Sequence, residues 1–284
     1  TNCATCDVSF LTSITRLWVT GLKNCTLSLP TSVVDLVIDN YTRWVTVSGT
    51  ENLTRLDVSN ESIKTTPCPK LQEFSWEGGT LSEDLLPCSI VEIPTLFDMK
   101  IQTEEIMPGF RFQTQLTALS LSVYRESVGV ADLTSLTLLE DLDLWVACAE
   151  DIPDLSGLTT LTKLSVNEQP VMGLPTSLVE CRVELRSDFD FSQFTNLTSL
   201  RVSLKPDVKV TFPSGLKHLG FGEGELDNTN IGDIALESFY TEWNLELTRD
   251  ILEKLPKTLK QLDGTFEPES LKEHLSEFFP LLEQ

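Results

Sequence analysis

Apolar residues recur along this chain with one spacing: apolar, two residues, apolar, one residue, apolar. The pattern begins at Ile14/Leu17/Val19 and returns at Val33/Leu36/Ile38, Leu53/Leu56/Val58, Leu71/Phe74/Trp76, Leu96/Met99/Ile101, Leu116/Leu119/Leu121 and Leu139/Leu142/Leu144. It continues at Leu161/Leu164/Val166, Leu178/Cys181/Val183, Leu197/Leu200/Val202, Leu216/Leu219/Phe221, Leu236/Phe239/Thr241 and Leu259/Leu262/Gly264, where only Thr241 and Gly264 break the apolar rule. The last two positions of each copy are two residues apart, so in an extended segment they share a face. Each copy therefore predicts a short strand that cannot bury its apolar side chains alone. Stacked as parallel neighbours about 4.8 Å apart, thirteen such rungs close a continuous core and build an arc on the order of 60 Å long.

The copies start 17 to 25 residues apart. That is too short for a full return helix, so the far side of each repeat is expected to be extended, turn or single-turn helical. Two stretches predict more. Residues 248–256, TRDILEKLP, read as a two-turn helix ended by its proline. Residues 267–284 place Leu271, Leu275, Phe278 and Leu282 at helical spacing after Pro268, which predicts an amphipathic cap over the open end of the stack.

The L-x-x-L-x-L core, over about residues 10 to 266, resembles the leucine-rich-repeat family, and the Leu-Pro lead-ins at Leu29-Pro30, Leu174-Pro175 and Leu255-Pro256 are most like its short-repeat members. The resemblance implies an α/β solenoid: a horseshoe with a parallel β-sheet on the concave face, a mostly irregular or short-helical convex side, and a helical C-terminal cap. It also implies one domain over 1–284, with an N-terminal cap at 1–13, about thirteen repeats over 14–266, and the cap helix at 267–284. The chain departs from the family at the position three residues after the third apolar one, where Asn or Cys is usual. Leu22, Tyr41, Glu61 and Gly79 stand there, and Asn244 alone conforms. The turn backbone must then find other hydrogen-bond partners.

Composition narrows the function. An apolar content of 40% suffices for a core, but a formal charge of −22 repels a phosphate backbone, so nucleic acid is not expected as a partner. No run of about 18 apolar residues offers a membrane span. The chain opens on Thr1 rather than Met, as a mature chain or an ectodomain would. Sequons at Asn24, Asn40, Asn52, Asn60 and Asn196 point to a glycosylated protein that is secreted or on the outer face of the plasma membrane.

Seven cysteines leave at least one outside any internal pair. Cys68 and Cys88 lie one repeat period apart, at equivalent places about 5 Å from each other, and are expected to form a disulfide. Such a bridge would pull the fifth rung toward Val91/Pro94/Leu96. Near the N-terminus, Cys25 is expected to bridge to Cys3 or Cys6. Cys148 and Cys181 read as buried, inert thiols.

Motifs for catalysis are lacking. There is no His-Glu-x-x-His, no Gly-x-Ser-x-Gly and no phosphate-cradling glycine loop, and the two histidines, His218 and His274, have no motif around them. The chain reads as a non-enzyme without cofactor or metal. The family resemblance implies instead that a partner protein binds the concave face, as receptor, adhesin or decoy would. Alternatives are an intracellular interaction domain of an effector and a self-associating structural surface protein. Outward positions give Asp141, Asp143 and Trp145 in the seventh rung, Lys163, Arg182 and Arg201 in rungs eight to ten, and Tyr240 in the twelfth. Exposed Trp and Arg carry a disproportionate share of interface energy. Trp18 is a weaker candidate and Trp76 reads as core. Sugars on Asn40 and Asn60 would shade the N-terminal third, which favours docking on rungs six to twelve.

Overall fold

A computed structural model describes residues 5–22, 24–39, 45–59, 63–81, 93–107, 110–125, 133–147, 152–167, 173–242 and 245–282. The chain divides into two compact units, Thr1–Thr160 and Leu161–Gln284.

In the first unit the strands are β1 (Thr5–Asp7), β2 (Arg16–Thr20), β3 (Cys25–Ser28), β4 (Asp35–Asp39), β5 (Val45–Ser48), β6 (Arg55–Ser59), β7 (Ile63–Thr65), β8 (Glu73–Leu81), β9 (Asp98–Ile106), β10 (Ala118–Val123) and β11 (Asp141–Val146). One long parallel ladder takes the order β2-β4-β6-β8-β9-β10-β11, one strand per repeat. The register keeps equivalent places opposite each other, as in Leu119 with Met99 and Leu142. Because the side-chain period is two, this buries one column of residues and displays the other.

The second unit repeats the plan with β12 (Lys163–Val166), β13 (Glu180–Leu185), β14 (Phe189–Asp190), β15 (Ser199–Leu204), β16 (Val210–Thr211), β17 (His218–Phe221), β18 (Ser238–Thr241), β19 (Glu246–Leu247), α1 (Arg249–Lys254), β20 (Gln261–Asp263), β21 (Thr265–Phe266) and α2 (Leu275–Phe278). Its long ladder runs β12-β13-β15-β17-β18-β20, all parallel.

Every inward position of rungs two to eleven is buried, including Leu119, Leu164 and Leu200, which are at most 3% exposed. Each such side chain contributes about 1.5–3 kcal/mol relative to exposure. The first rung differs: Ile14, Leu17 and Val19 are half-buried, because nothing described stacks beyond β2 in its ladder. Trp76 is core. The fifth rung keeps Leu96, Met99 and Ile101 inward, so the shift toward Val91/Pro94/Leu96 does not occur.

The far side of the repeats in the first unit is more regular than the spacing implied. Strands β1, β3, β5 and β7 form a second parallel ladder in that order. Cys25, Leu27, Val45 and Val47 point into the core from it, while Thr26, Ser28, Thr46 and Ser48 face outward. At its turn, Gly49 has φ +80°, and a Cβ there would lie 2.6 Å from the Leu29 carbonyl oxygen. Only glycine fits that corner.

The helix expected at 248–256 is present as α1, with Leu252 buried and Pro256 just beyond. The C-terminal cap is present with tighter geometry. Pro268 is its N-cap, a 3-10 turn covers Glu269–His274, and only α2 is α-helical. Phe278 and Phe279 are buried there, with Leu271, Leu275 and Leu282 half-buried. A 3-10 turn eclipses side chains three apart, which brings Leu271 round to the side of Leu275 less evenly than an α-helix would.

At four of the described turns the backbone is satisfied by hydroxyls. The residue just before the first apolar position donates to the carbonyl of that position one repeat earlier: Thr95 to Leu71 (2.7 Å), Thr160 to Leu139 (2.8 Å), Ser177 to Leu161 (2.6 Å) and Thr258 to Leu236 (2.8 Å). Thr103, fully buried, donates to the Gly79 carbonyl at 2.7 Å and accepts from the Glu105 amide at 3.3 Å. Asn244 lies outside the described residues.

Candidate functional site

The outward columns of each long ladder are rigid and solvent-facing. In the first unit, Asp141, Asp143 and Trp145 alternate with buried Leu142 and Leu144 along β11. Register sets Ser120 opposite Asp143 and Ser122 opposite Trp145, and the Ser120 hydroxyl donates to the Asp143 carboxylate at 3.3 Å. Trp145 stays 40% exposed and packs on Tyr124, itself 50% exposed, with ring centroids 5.1 Å apart at 52°. Tyr124 was invisible to a reading by outward columns because it follows β10 rather than lying in it. A neighbouring pair of outward aromatics in consecutive repeats was the available signal.

Nearer the start of this ladder the charges pair off. Arg16 Nε lies 2.8 Å from Asp35 and Arg55 Nη1 lies 3.6 Å from Glu73. Glu73 and Asp98 face each other in register, two acids side by side. They line a shallow recess of about 210 Å³ with Arg55, Asp57, Ser75 and Lys100. Burial raises the Asp98 carboxyl above its usual range, the charges of Glu73 and Asp141 add to this, and Arg55 opposes it. Trp18 is 72% exposed on β2.

In the second unit, Lys163 faces Glu180 across β12 and β13, and Arg182 faces Arg201 across β13 and β15. Gly220 follows Arg201 in the same column and Tyr240 follows Gly220. The Tyr240 ring lies across Gly220, where a Cβ would come within 2.4 Å of it. The Arg201 guanidinium sits 5.4 Å from the centroid of that ring. Glu242 joins both arginines, 3.5 Å from Arg182 and 3.8 Å from Arg201. Burial raises the Tyr240 phenol above its ordinary value, and Arg201 works against the shift. Glu242 is an addition to the residues expected here; it follows β18 and so escaped the column reading. The structure thus brings Arg182, Arg201 and Tyr240 into one cluster, while Lys163 stands apart from it on the same face.

Of the cysteines, Cys6 and Cys25 are not joined to each other. The register sets Cys6 opposite Leu27, which puts Cys25 on a diagonal about 7–8 Å away, beyond the reach of a disulfide. Cys3, Cys88 and Cys148 lie outside the described residues, and with them the Cys3–Cys25 and Cys68–Cys88 bridges. Cys68 is buried against the Thr66 carbonyl, 3.4 Å from its sulfur. Cys181 is fully buried, and desolvation pushes its thiol up to about 12. Among the sequon asparagines, Asn196 is exposed, Asn24 has φ 50°, and the Asn52 amide donates to the Thr31 carbonyl at 2.9 Å. Asn40 and Asn60 lie outside the described residues. No helix among the described residues is long and apolar enough to cross a membrane, and no group of metal-ligating side chains gathers among them.

No protein-family model and no curated protein match the chain. Solved structures do. The circular leucine-rich-repeat protein CroV588 is similar at 18% identity over 87% of this chain and 40% of its own, with a TM-score of 0.47. The structure of TLR13 in complex with ssRNA13 is similar at 17% identity over 86% of this chain and 55% of its own, with a TM-score of 0.37. The chain thus spans about half the length of these proteins or less. The repeat spacing, the one strand per repeat and the buried L-x-x-L-x-L column are carried by the chain itself, and they give each of its units the fold of a parallel-strand solenoid built from short leucine-rich repeats.

Proposed function

We propose that the chain is a recognition module of a secreted or cell-surface protein, acting as receptor, adhesin or decoy, and that it binds a protein partner through the outward face of its long ladders. One observation carries the reading: Trp145 on β11 and Tyr124 just beyond β10 form an exposed aromatic pair beside Asp143, on two strands paired in register. A rigid aromatic pair gives large contact area with little entropy to lose on binding. Carboxylates and hydroxyls around it supply the polar rim that orients a partner. The sequons support the outer side of the membrane as the place of action.

Crosslinking capture tests the reading. Wild type and Trp145→Ala are presented to the same cell surfaces, and the recovered proteins are compared. Loss of a hot-spot residue costs at least about 2 kcal/mol, so at least one partner falls about 30-fold in recovery with the variant. Equal recovery of every protein by the two chains overturns the docking role. A mass decrease on glycosidase treatment of the chain from secreting cells tests its location, and an unchanged mass counts against it.

A further inference from the structure

One arrangement in the second unit ought to be unfavourable. Arg182 and Arg201 stand directly opposite each other on β13 and β15. Neighbouring strands lie about 4.8 Å apart, and like charges so placed repel. Among the described strand pairs, no other sets two basic residues opposite each other. One carboxylate, Glu242, answers both, at 3.5 and 3.8 Å. Charge-assisted hydrogen bonds between such groups close to about 2.7–2.9 Å, so Glu242 is shared loosely and saturates neither partner. Each guanidinium carries five N–H donors and is about half exposed. At this contact two positive charges meet one negative charge, in a chain of net charge −22.

Arg201 is also held in place. Gly220 leaves room for the Tyr240 ring to lie across the sheet, and that ring supports the Arg201 guanidinium from one side. A guanidinium resting on an aromatic face keeps its plane fixed and its outer edge open, which suits a planar carboxylate. Glu242, two residues after Tyr240, fills part of the same space from within the chain.

We propose that Arg182 and Arg201 form a carboxylate site that takes an acidic side chain of the protein partner, with Glu242 as the internal occupant that yields to it. The proposal rests on the reading of the chain as a protein-recognition module and names the chemistry of the partner. An extended polyanion fits less well. Glu180 and Glu184 alternate with Arg182 along β13 and would repel successive phosphates, while only two cations reward them.

Arginine side-chain NMR tests this on the 284-residue chain. The Nε–Hε signals of Arg182 and Arg201 are followed while a capped, otherwise uncharged peptide with one glutamate is added, then its glutamine twin, then a ten-nucleotide oligo-dT. The glutamate peptide is expected to shift both signals saturably, and the twin and the oligonucleotide are not. Arg201→Gln weakens the glutamate peptide at least 10-fold with the backbone amide spectrum otherwise preserved. Glu242→Gln strengthens it at least 3-fold by removing the competitor, an effect that a purely structural ion pair would not give. Equal shifts with the twin, stronger shifts with oligo-dT, indifference to Arg201→Gln, or weaker binding by Glu242→Gln each overturn the site. Saturable peptide binding together with unchanged capture by Trp145→Ala would sink the docking role and leave the carboxylate site standing.

Discussion

Each unit has a long parallel ladder of its own, and the space behind it is filled in different ways in the two. In the first, short strands line up as a second ladder, and small side chains such as Cys25, Leu27, Val45 and Val47 meet the inward column. The buried polar residues among those described, Thr50, Thr103 and Gln113, all fall in this unit. In the second, rings do the filling. Phe191, Phe194 and Phe212 are fully buried, and Phe191 and Phe194 pack with centroids 5.6 Å apart. Return strands shrink there to pairs of two residues, β14 with β16 and β19 with β21. A ring occupies in one side chain the room that a return strand fills with two, so the second unit needs less regular backbone behind its ladder. What the repeat dictates is the inward column; how the rest of each coil closes is left to side-chain volume.

That contrast can be broken most sharply in the second unit. Phe194→Ala removes a ring from its packed group and is expected to cost about 3–5 kcal/mol in urea unfolding. A loss near 1 kcal/mol would mean that the rings fill space without holding it. The first unit is expected to be sensitive to polarity instead. Thr103→Val keeps the shape but strands the Gly79 carbonyl, with an expected loss of about 1–3 kcal/mol in the same measurement. Neutrality would show that water replaces the hydroxyl without penalty.

The smallest effect concerns charge on the first unit's face. Asp98 has its folded carboxyl raised, so the folded chain holds that proton more tightly than the unfolded chain does. Stability from this group is present below the unfolded value of 3.8 and is lost as pH rises through the folded value. Asp98→Asn is therefore expected to flatten the decline above pH 3.8 and to leave the chain slightly more stable at neutral pH. A steeper decline in the variant would show that Arg55, not burial with Glu73 and Asp141, governs the site.

Much of this architecture is legible in the sequence. Leu36/Ile38, Leu142/Leu144 and Leu200/Val202 lie where their spacing puts them because a two-residue period has only two faces to choose from. The return side was less legible: CTLS and VTVS, residues 25–28 and 45–48, alternate as strands do, but four residues are too few to separate a strand from an extended turn. Arg182, Arg201 and Tyr240 were visible as a column. Their convergence was not, since it depends on Gly220 letting a ring lie flat and on Glu242 reaching in from beyond β18. The Cys6–Cys25 alternative failed on a two-residue offset in register that no count of cysteines could reveal.

The hydroxyls that reach back to Leu71, Leu139, Leu161 and Leu236 all make the same joint. Each is contributed by the later coil and received by the earlier one, so these four seams close in the same way. Lengthening or shortening such a chain by one whole coil would recreate that joint at the new seam. A deletion of part of a coil at one of these seams would leave a carbonyl with no hydroxyl arriving, so a change of length there is expected to come in units of the repeat.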